Sequence, residues 1–174
     1  DDLQVHFGYS TKTGNETTYR PIIAIFTTAA FLALSFMMID ANVFEIIRFF
    51  ELFISISMVL LGLQKLQDLD RFATMFLNYD LLAQRWIRYG YIYPFIEIGA
   101  GFLMMTGSIV LFAAPITFIA SSIGAVSVFK AVYIDKRDLK CACVGGDSKV
   151  PLGFVSLLEN IMMMLMALWM LFNF

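Results

Sequence analysis

Five apolar blocks, each about as long as a membrane-spanning helix, divide this chain. They cover about residues 21–39, 48–66, 92–113, 115–134 and 151–173. A helix needs roughly 17–25 residues to cross the hydrocarbon core of a bilayer. The chain is 60% hydrophobic and 15% charged, whereas soluble domains average about 45–50% and about 25%. The pattern predicts an all-α integral membrane protein in a lipid bilayer, and the net charge of −2 gives no indication of nucleic-acid binding.

Proline and small residues support helices over strands. All four prolines lie at or near the start of a block, at Pro21, Pro94, Pro115 and Pro151. Proline suits the first helical turn, where its missing N–H would have no partner. The blocks are also about twice as long as a barrel strand needs. The fourth block has small residues four apart, a spacing that lets membrane helices approach closely: Thr117, Ser121 and Ala125, and Ala120 and Gly124.

The segment between the second and third blocks is amphipathic. Its apolar residues recur at three- and four-residue spacing: Phe72, Met75, Phe76, Tyr79 and Leu82. This spacing predicts a helix lying in the membrane interface. Four aromatic residues that follow are typical of an interfacial belt: Trp86, Tyr89, Tyr91 and Tyr93.

The basic residues predict one orientation. With a cytoplasmic N-terminus, eleven of the twelve lysines and arginines lie inside and Arg48 alone lies outside. Cytoplasmic segments of membrane proteins carry this excess. We therefore expect a multi-pass protein of the bacterial inner membrane, with the C-terminus outside and the segment between the last two blocks in the cytoplasm.

Two carboxylates lie inside the apolar blocks, where charge is costly and marks candidate functional sites. Glu97 and Glu159 stand five and eight residues into their blocks, which places both roughly 8–12 Å below the cytoplasmic surface. Lys65 ends the second block on the same side. Lys65, Glu97, Glu159 and the loop with Cys141 and Cys143 could converge on one cytoplasmic-side cluster, in which the two glutamates trade a proton or help hold a cation. Alternatively, Lys65 reaches the surface and each glutamate bonds a neighbouring helix.

The only two cysteines, Cys141 and Cys143, stand one residue apart in the stretch "DKRDLKCACVGG". Two such thiolates can bind a soft ion such as Cu(I). They can also close a small, strained and therefore labile disulfide ring. Nearby Lys136, Arg137 and Lys140 favour the thiolate form. A third interpretation is a pair of bystander thiols.

Methionines fill the last block. Met163, Met166 and Met170 share a helix face with Glu159. Thioethers are ligands for soft metals, but methionine is also a common filler of apolar gaps. Both interpretations stay open at this point.

The block "KCACVGG…VPLGFVSLLEN…MMM" resembles the MauE/DoxX superfamily of small bacterial membrane proteins. The stretches "LGLQKLQDLDRF", "FLNYDLLAQR" and "YPFIEIGAG" are similar to the same pattern, so the resemblance covers about residues 48 to 173. It implies a DoxX-like four-helix bundle made of blocks two to five, with block one as an N-terminal addition. Where the family often has an acidic pair in the last helix, this chain has Glu159 and Asn160. The matching positions are Lys65, Tyr79, Asp80, Tyr93, Pro94, Glu97, Cys141, Cys143, Gly145, Pro151 and Glu159.

The family resemblance implies a redox association, and some relatives carry a glutaredoxin-like or heavy-metal-associated domain in front. The opening "DDLQVHFG" is similar to the last helix of a glutaredoxin. We therefore expect residues 1–20 to be a cytoplasmic linker, the tail of a glutaredoxin-like domain, and residues 21–174 to be the transmembrane domain. A glutaredoxin-like partner on the cytoplasmic side follows from this interpretation.

Three functions remain from the sequence. The first is a thiol–disulfide oxidoreductase with Cys141 and Cys143 as the reactive pair, supported by Glu97, Glu159, Lys65, Asp80 and Tyr93. The second is a carrier of a soft metal such as Cu(I) or Hg(II), with ligands Cys141, Cys143, Glu159 and Met163. The third is a non-catalytic assembly subunit. No nucleotide or haem motif occurs, so no such cofactor is predicted, and an oligomer stays open.

Overall fold

The computed structural model describes residues 19–39, 46–107, 110–136 and 153–173. This part of the chain forms helices and no strand. The α-helices are α1 (Arg20–Ile39), α2 (Ile46–Leu66), α3 (Leu69–Leu77), α4 (Leu81–Arg85), α5 (Ile87–Thr106), α6 (Val110–Phe129) and α7 (Gly153–Asn173). A π-helical turn, Lys130–Ile134, extends α6.

In the part of the chain that the structure describes, four helical stretches are long and apolar enough to cross a membrane: Arg20–Ile39, Ile46–Leu66, Leu111–Ile134 and Gly153–Asn173. Helix α5 also has 20 residues, but Arg88, Glu97 and three tyrosines lower its apolar character. It packs against both α2 and α6. The predicted all-α membrane fold is confirmed.

The core is a four-helix bundle of α2, α5, α6 and α7, in which α2 packs closely on α5 and α6 on α7. Helix α1 packs along α2, where Ala29 and Ala33 meet Leu52 and Ile56. The predicted bundle with an N-terminal addition is therefore confirmed.

The boundary between α5 and α6 differs from the prediction. Helix α5 ends at Thr106, and Gly107 follows with a φ of 64°, a left-handed conformation that glycine adopts without steric cost. Pro94 and Pro115 lie inside α5 and α6, so the expectation that they begin helices was wrong. A glycine sets this boundary. Pro21 does lie in the first turn of α1, and Pro151 lies outside the described residues.

The amphipathic segment forms two short helices. Asp68 accepts a hydrogen bond from the Arg71 N–H at 3.2 Å and caps α3. Asp80 caps α4 in the same way. Between these caps, the apolar side of the segment packs inward on α5 and is buried, through Phe72, Phe76 and Tyr79.

Only two of the four aromatic residues predicted for the interfacial belt face outward. Trp86 and Tyr91 are exposed on the outer surface. Tyr89 and Tyr93 are buried, with ring centroids 6.0 and 4.9 Å from that of Phe76. Residues four apart share a helix face, and this face of α5 turns toward α3. Tyr93 therefore belongs to the interior of the bundle.

Two glycines let the paired helices approach closely. A Cβ on Gly101 of α5 would lie 2.8 Å from the Ser55 carbonyl oxygen of α2, and a Cβ on Gly124 of α6 would contact the Asn160 side chain of α7. The second contact confirms that small residues in the fourth block serve helix packing. These two close contacts set the spacing of the helices that carry the buried polar residues.

Candidate ion-pair and proton site

Lys65 lies between two glutamates inside the bundle. Its Nζ donates to both oxygens of Glu97, at 2.8 and 2.6 Å, and to Oε1 of Glu159 at 2.8 Å. The exposed fractions are 4% for Lys65, 2% for Glu97 and 7% for Glu159. Lys65 therefore does not reach the surface, and the three predicted side chains do converge. We call Lys65, Glu97 and Glu159 the Lys65 site.

Aromatic rings complete the surroundings of the ammonium group. The Lys65 Nζ lies 5.2 Å from the ring centroid of Tyr93 and 5.9 Å from that of Phe72. A cation near an aromatic face gains about 0.5–2 kcal/mol, with the larger values in dry surroundings. Tyr93 was predicted as a supporting residue, and the structure places it in contact with Lys65. Phe72 was assigned to the membrane interface, so its contact with Lys65 was missed.

The Lys65 site joins the two helix pairs of the bundle. Lys65 and Glu97 belong to the α2–α5 pair, and Glu159 belongs to α7 of the other pair. Removing one partner of a buried ion pair leaves an uncompensated charge and costs about 3–5 kcal/mol. The charges therefore contribute to the docking of the two pairs.

A polar cavity adjoins the Lys65 site. Asn160 donates from Nδ2 to the Ser156 carbonyl oxygen at 2.7 Å, while its buried Oδ1 has no hydrogen-bond partner among the described residues. Tyr79 and Ser156 lie on the same side of the Lys65 site. Both Asn160 and Tyr79 line a cavity of about 10 Å³, together with Lys65 and Glu159. That volume is about the room that one water molecule needs.

Tyr79 stands in the turn between α3 and α4, outside the spanning helices. Burial raises the pKa of its hydroxyl well above the usual value, and the charges of Glu159 and Asp80 raise it further. A phenol with a raised pKa stays neutral at physiological pH. Tyr79 can therefore donate or accept a hydrogen bond beside the Lys65 site without adding charge.

Asp80 has a structural role in the described residues. Its Oδ1 accepts from the N–H groups of Leu82 and Ala83, at 3.0 and 2.8 Å, which caps α4. Burial raises the pKa of this carboxyl, and the two backbone donors partly offset the shift. No hydrogen bond or ion pair joins Asp80 to Lys65 in the described part of the chain. The structure thus separates Asp80 from the residues it was grouped with.

The methionines that share a helix face with Glu159 are part of the packed core. Met163, Met166 and Met170 are buried and lie in one cluster with Met58 of α2 and Met104 of α5. Glu159 is buried on the same face of α7, as the spacing predicted. Residues 19–39, 46–107, 110–136 and 153–173 contain no group of three or more His, Cys, Asp or Glu side chains placed to hold a metal ion.

Cys141, Cys143, Gly145 and Pro151 lie outside the described residues. Ser156 was missed by the sequence reasoning, although a signal was present. It precedes Glu159 by three residues and Asn160 by four, and both spacings put side chains on one helix face.

The fold and the Lys65 site define a small multi-pass helical membrane protein with a buried ion-pair cluster in its bundle. The family model described as "Methylamine utilisation protein MauE" matches residues 43–173. The match covers most of the 174-residue chain and includes α2 to α7. The chain belongs to the MauE family. No curated protein and no solved structure matches it.

Proposed function

We propose that this MauE-family protein is a membrane thiol–disulfide redox protein that serves methylamine utilisation, with Cys141 and Cys143 as its reactive pair. The observation that carries the proposal is the Lys65 site. Three ionisable side chains from three helices meet inside an apolar bundle. Intramembrane charge of this kind is costly and typical of functional sites.

Chain connectivity supports a link between the cysteines and the Lys65 site. Helix α7 begins at Gly153, and Glu159 follows six residues later, which is about 9 Å along the helix. Cys141 comes five residues after Lys136 in the sequence, and five residues reach at most about 18 Å. The segment with the cysteines is therefore tied at both ends to the end of the bundle that holds the Lys65 site.

The proposed reaction is an exchange with a partner disulfide. A thiolate of the Cys141/Cys143 pair attacks one sulfur of the partner disulfide, and the other partner sulfur leaves as a thiolate. The second cysteine then attacks the mixed disulfide. The products are a Cys141–Cys143 disulfide and a partner dithiol. Two electrons pass to the partner, and the two protons lost by the pair balance the two that the partner thiolates take up.

The partner is proposed to be a glutaredoxin-like domain or protein on the cytoplasmic side. The helix directions support this orientation. Arg20 begins α1, Lys65 lies in the last turn of α2, Arg88 lies in the first turn of α5 and Lys130 follows α6. All four therefore lie at one end of the bundle. Arg48 lies at the opposite end. The excess of basic residues marks the cytoplasmic end.

A thiol-trapping titration tests the proposal. The purified protein is equilibrated in glutathione buffers with metals chelated, and its free thiols are then alkylated and counted by mass. Because the chain has two cysteines, disulfide formation removes two labels in one step. We expect a midpoint within about −200 to −300 mV, the range of the cytoplasmic glutathione pool. The Cys141→Ser and Cys143→Ser variants are the matched controls and should show no such step.

The soft-metal function is the outcome that would replace this proposal. Thiols that remain reduced across the titration, but are protected by one equivalent of Cu(I), would show metal handling instead. The other two ligands predicted for that function have different partners in the described residues. Glu159 is paired with Lys65, and Met163 packs in the methionine cluster.

A further inference from the structure

We infer that the Lys65 site stores one exchangeable proton between the carboxyl groups of Glu97 and Glu159, and that a water molecule beside Asn160 exchanges it. This inference goes beyond the proposed thiol chemistry and does not depend on it. It rests on the contacts of the three charged side chains and on the polar cavity next to them.

The number of charges is the first argument. Two carboxyl groups face one ammonium group, and all three side chains are buried. If both carboxyl groups were ionised, the bundle would hold an unpaired negative charge, which is strongly unfavourable in a medium without water. One proton removes that charge and leaves a neutral site.

The contact between the two glutamates is the second argument. Both carboxyl groups bind the same Lys65 Nζ, through Glu97 Oε2 at 2.6 Å and Glu159 Oε1 at 2.8 Å, so the shared nitrogen holds these two oxygens side by side. Two carboxylates offer only acceptor oxygens, so a hydrogen bond between them requires a proton on one of the two. The proton that the charge count requires can therefore lie between the carboxyl oxygens of Glu97 and Glu159.

The surrounding groups do not change this balance. Helix α5 adds Tyr93, the α3–α4 turn adds Tyr79, and α7 adds Asn160 to the walls around Lys65. Gly124 and Val128 are the contributions of α6. None of these five side chains carries a positive charge, so Lys65 is the sole cation among the described residues that line the site.

The cavity supplies the exchange route. It has room for about one water molecule. Asn160, whose buried Oδ1 has no hydrogen-bond partner among the described residues, lines it together with Tyr79 and Glu159. A buried water needs two to four polar partners, and each of these three side chains has a polar group. In the exchange, the carboxyl O–H bond breaks as its proton bonds to the water oxygen, and the water returns one of its own protons to the carboxylate, so that neither group changes its net charge.

Infrared spectroscopy of the membrane-reconstituted protein tests the stored proton. A protonated carboxyl group has a C=O stretching band that an ionised carboxylate lacks. We expect Glu97→Gln and Glu159→Gln each to lose this band, because Lys65 then neutralises the one carboxylate that remains. Glu51→Gln is the matched control, since Glu51 is already paired with one cation, Arg48, at 3.0 Å. The protonated-carboxyl band of the Glu51→Gln variant should have the same intensity as that of the wild type.

Deuterium exchange of the same band tests the water route. A Cβ on Gly124 would contact the Asn160 side chain, whereas a Cβ on Gly99 would meet nothing within 4 Å. We expect Gly124→Ala to slow exchange of the carboxyl proton by about tenfold or more, as expected when a buried water loses its hydrogen bonds. Gly99→Ala should exchange at the wild-type rate. Asn160→Leu provides a second test, because it removes the unpartnered amide oxygen and leaves Gly124 in place.

Two results would overturn the inference. A wild-type protein without the band, or a band that survives in both Glu97→Gln and Glu159→Gln, would show that the site stores no proton. Equal exchange rates in the wild type, Gly124→Ala and Asn160→Leu would exclude the water beside Asn160. The measurement uses no thiol, so it can be repeated in a Cys141→Ser/Cys143→Ser background, and its failure is distinct from a failure of the redox proposal.

Discussion

Replacing Lys65 by methionine should strongly destabilise the protein. The substitution removes three hydrogen bonds of 2.6–2.8 Å to Glu97 and Glu159 and leaves two buried carboxyl groups without a cation. Breaking a buried pair in this way costs about 3–5 kcal/mol. Since a chain of this size loses about 2–4 °C per kcal/mol, the melting temperature should fall by about 6–20 °C.

The decisive comparison is the triple variant Lys65→Met/Glu97→Gln/Glu159→Gln. It removes all three ionisable groups while keeping similar volumes, and such replacements range from neutral to stabilising by about 1–4 kcal/mol. Thermal unfolding in detergent, followed by tryptophan fluorescence, should therefore show the triple variant recovering most of the loss. Arg48→Gln is the surface control. The Arg48 side chain is 43% exposed, so its loss should cost at most about 1 kcal/mol. If the triple variant melted as low as Lys65→Met, uncompensated charge would not be the cause of the loss.

Three further predictions follow from the packing, the helix cap and the cysteines. Gly124→Ala should lower the melting temperature, because its Cβ would contact Asn160 and overpacking costs about 1–3 kcal/mol, whereas Gly99→Ala should leave it equal or higher. Asp80→Ala should cost about 0.5–2 kcal/mol in urea unfolding, through loss of the α4 cap, and wild-type stability would contradict the capping role. Cys141→Ser/Cys143→Ser should abolish growth on methylamine in a host that depends on this protein, and normal growth with normal protein levels would instead indicate an assembly subunit.

The buried site could be predicted because depth follows directly from helix geometry. Glu97 and Glu159 stand at similar distances from the starts of their blocks, and Lys65 ends its own block on the same side. Antiparallel helices of known length then bring the three to one level. The sequence could not show that Lys65 contacts both carboxyl groups, because this depends on how each helix is rotated about its axis.

The errors have a different physical origin. Pro115 and the aromatic residues were interpreted from single-residue preferences, which tertiary contacts override. Gly107 ends α5 well before the apolar run ends, so hydropathy alone placed the boundary too late. Tyr89 was assigned to the lipid interface, yet it packs 6.0 Å from Phe76 because α3 covers that face of α5. Nothing in the local pattern distinguishes an aromatic residue that faces lipid from one that faces a short covering helix.

The methionine cluster acquires a role once the bundle is seen as two helix pairs. Within each pair the helices approach closely, since Gly101 brings α5 onto the α2 backbone and Gly124 brings α6 onto Asn160. Between the pairs, the core consists largely of methionine and alanine side chains from both sides. Methionine adapts to small shifts of its neighbours. The Lys65 site spans this interface, because Lys65 and Glu97 belong to one pair and Glu159 to the other. A change in its proton content would therefore alter the electrostatic attraction between the two pairs.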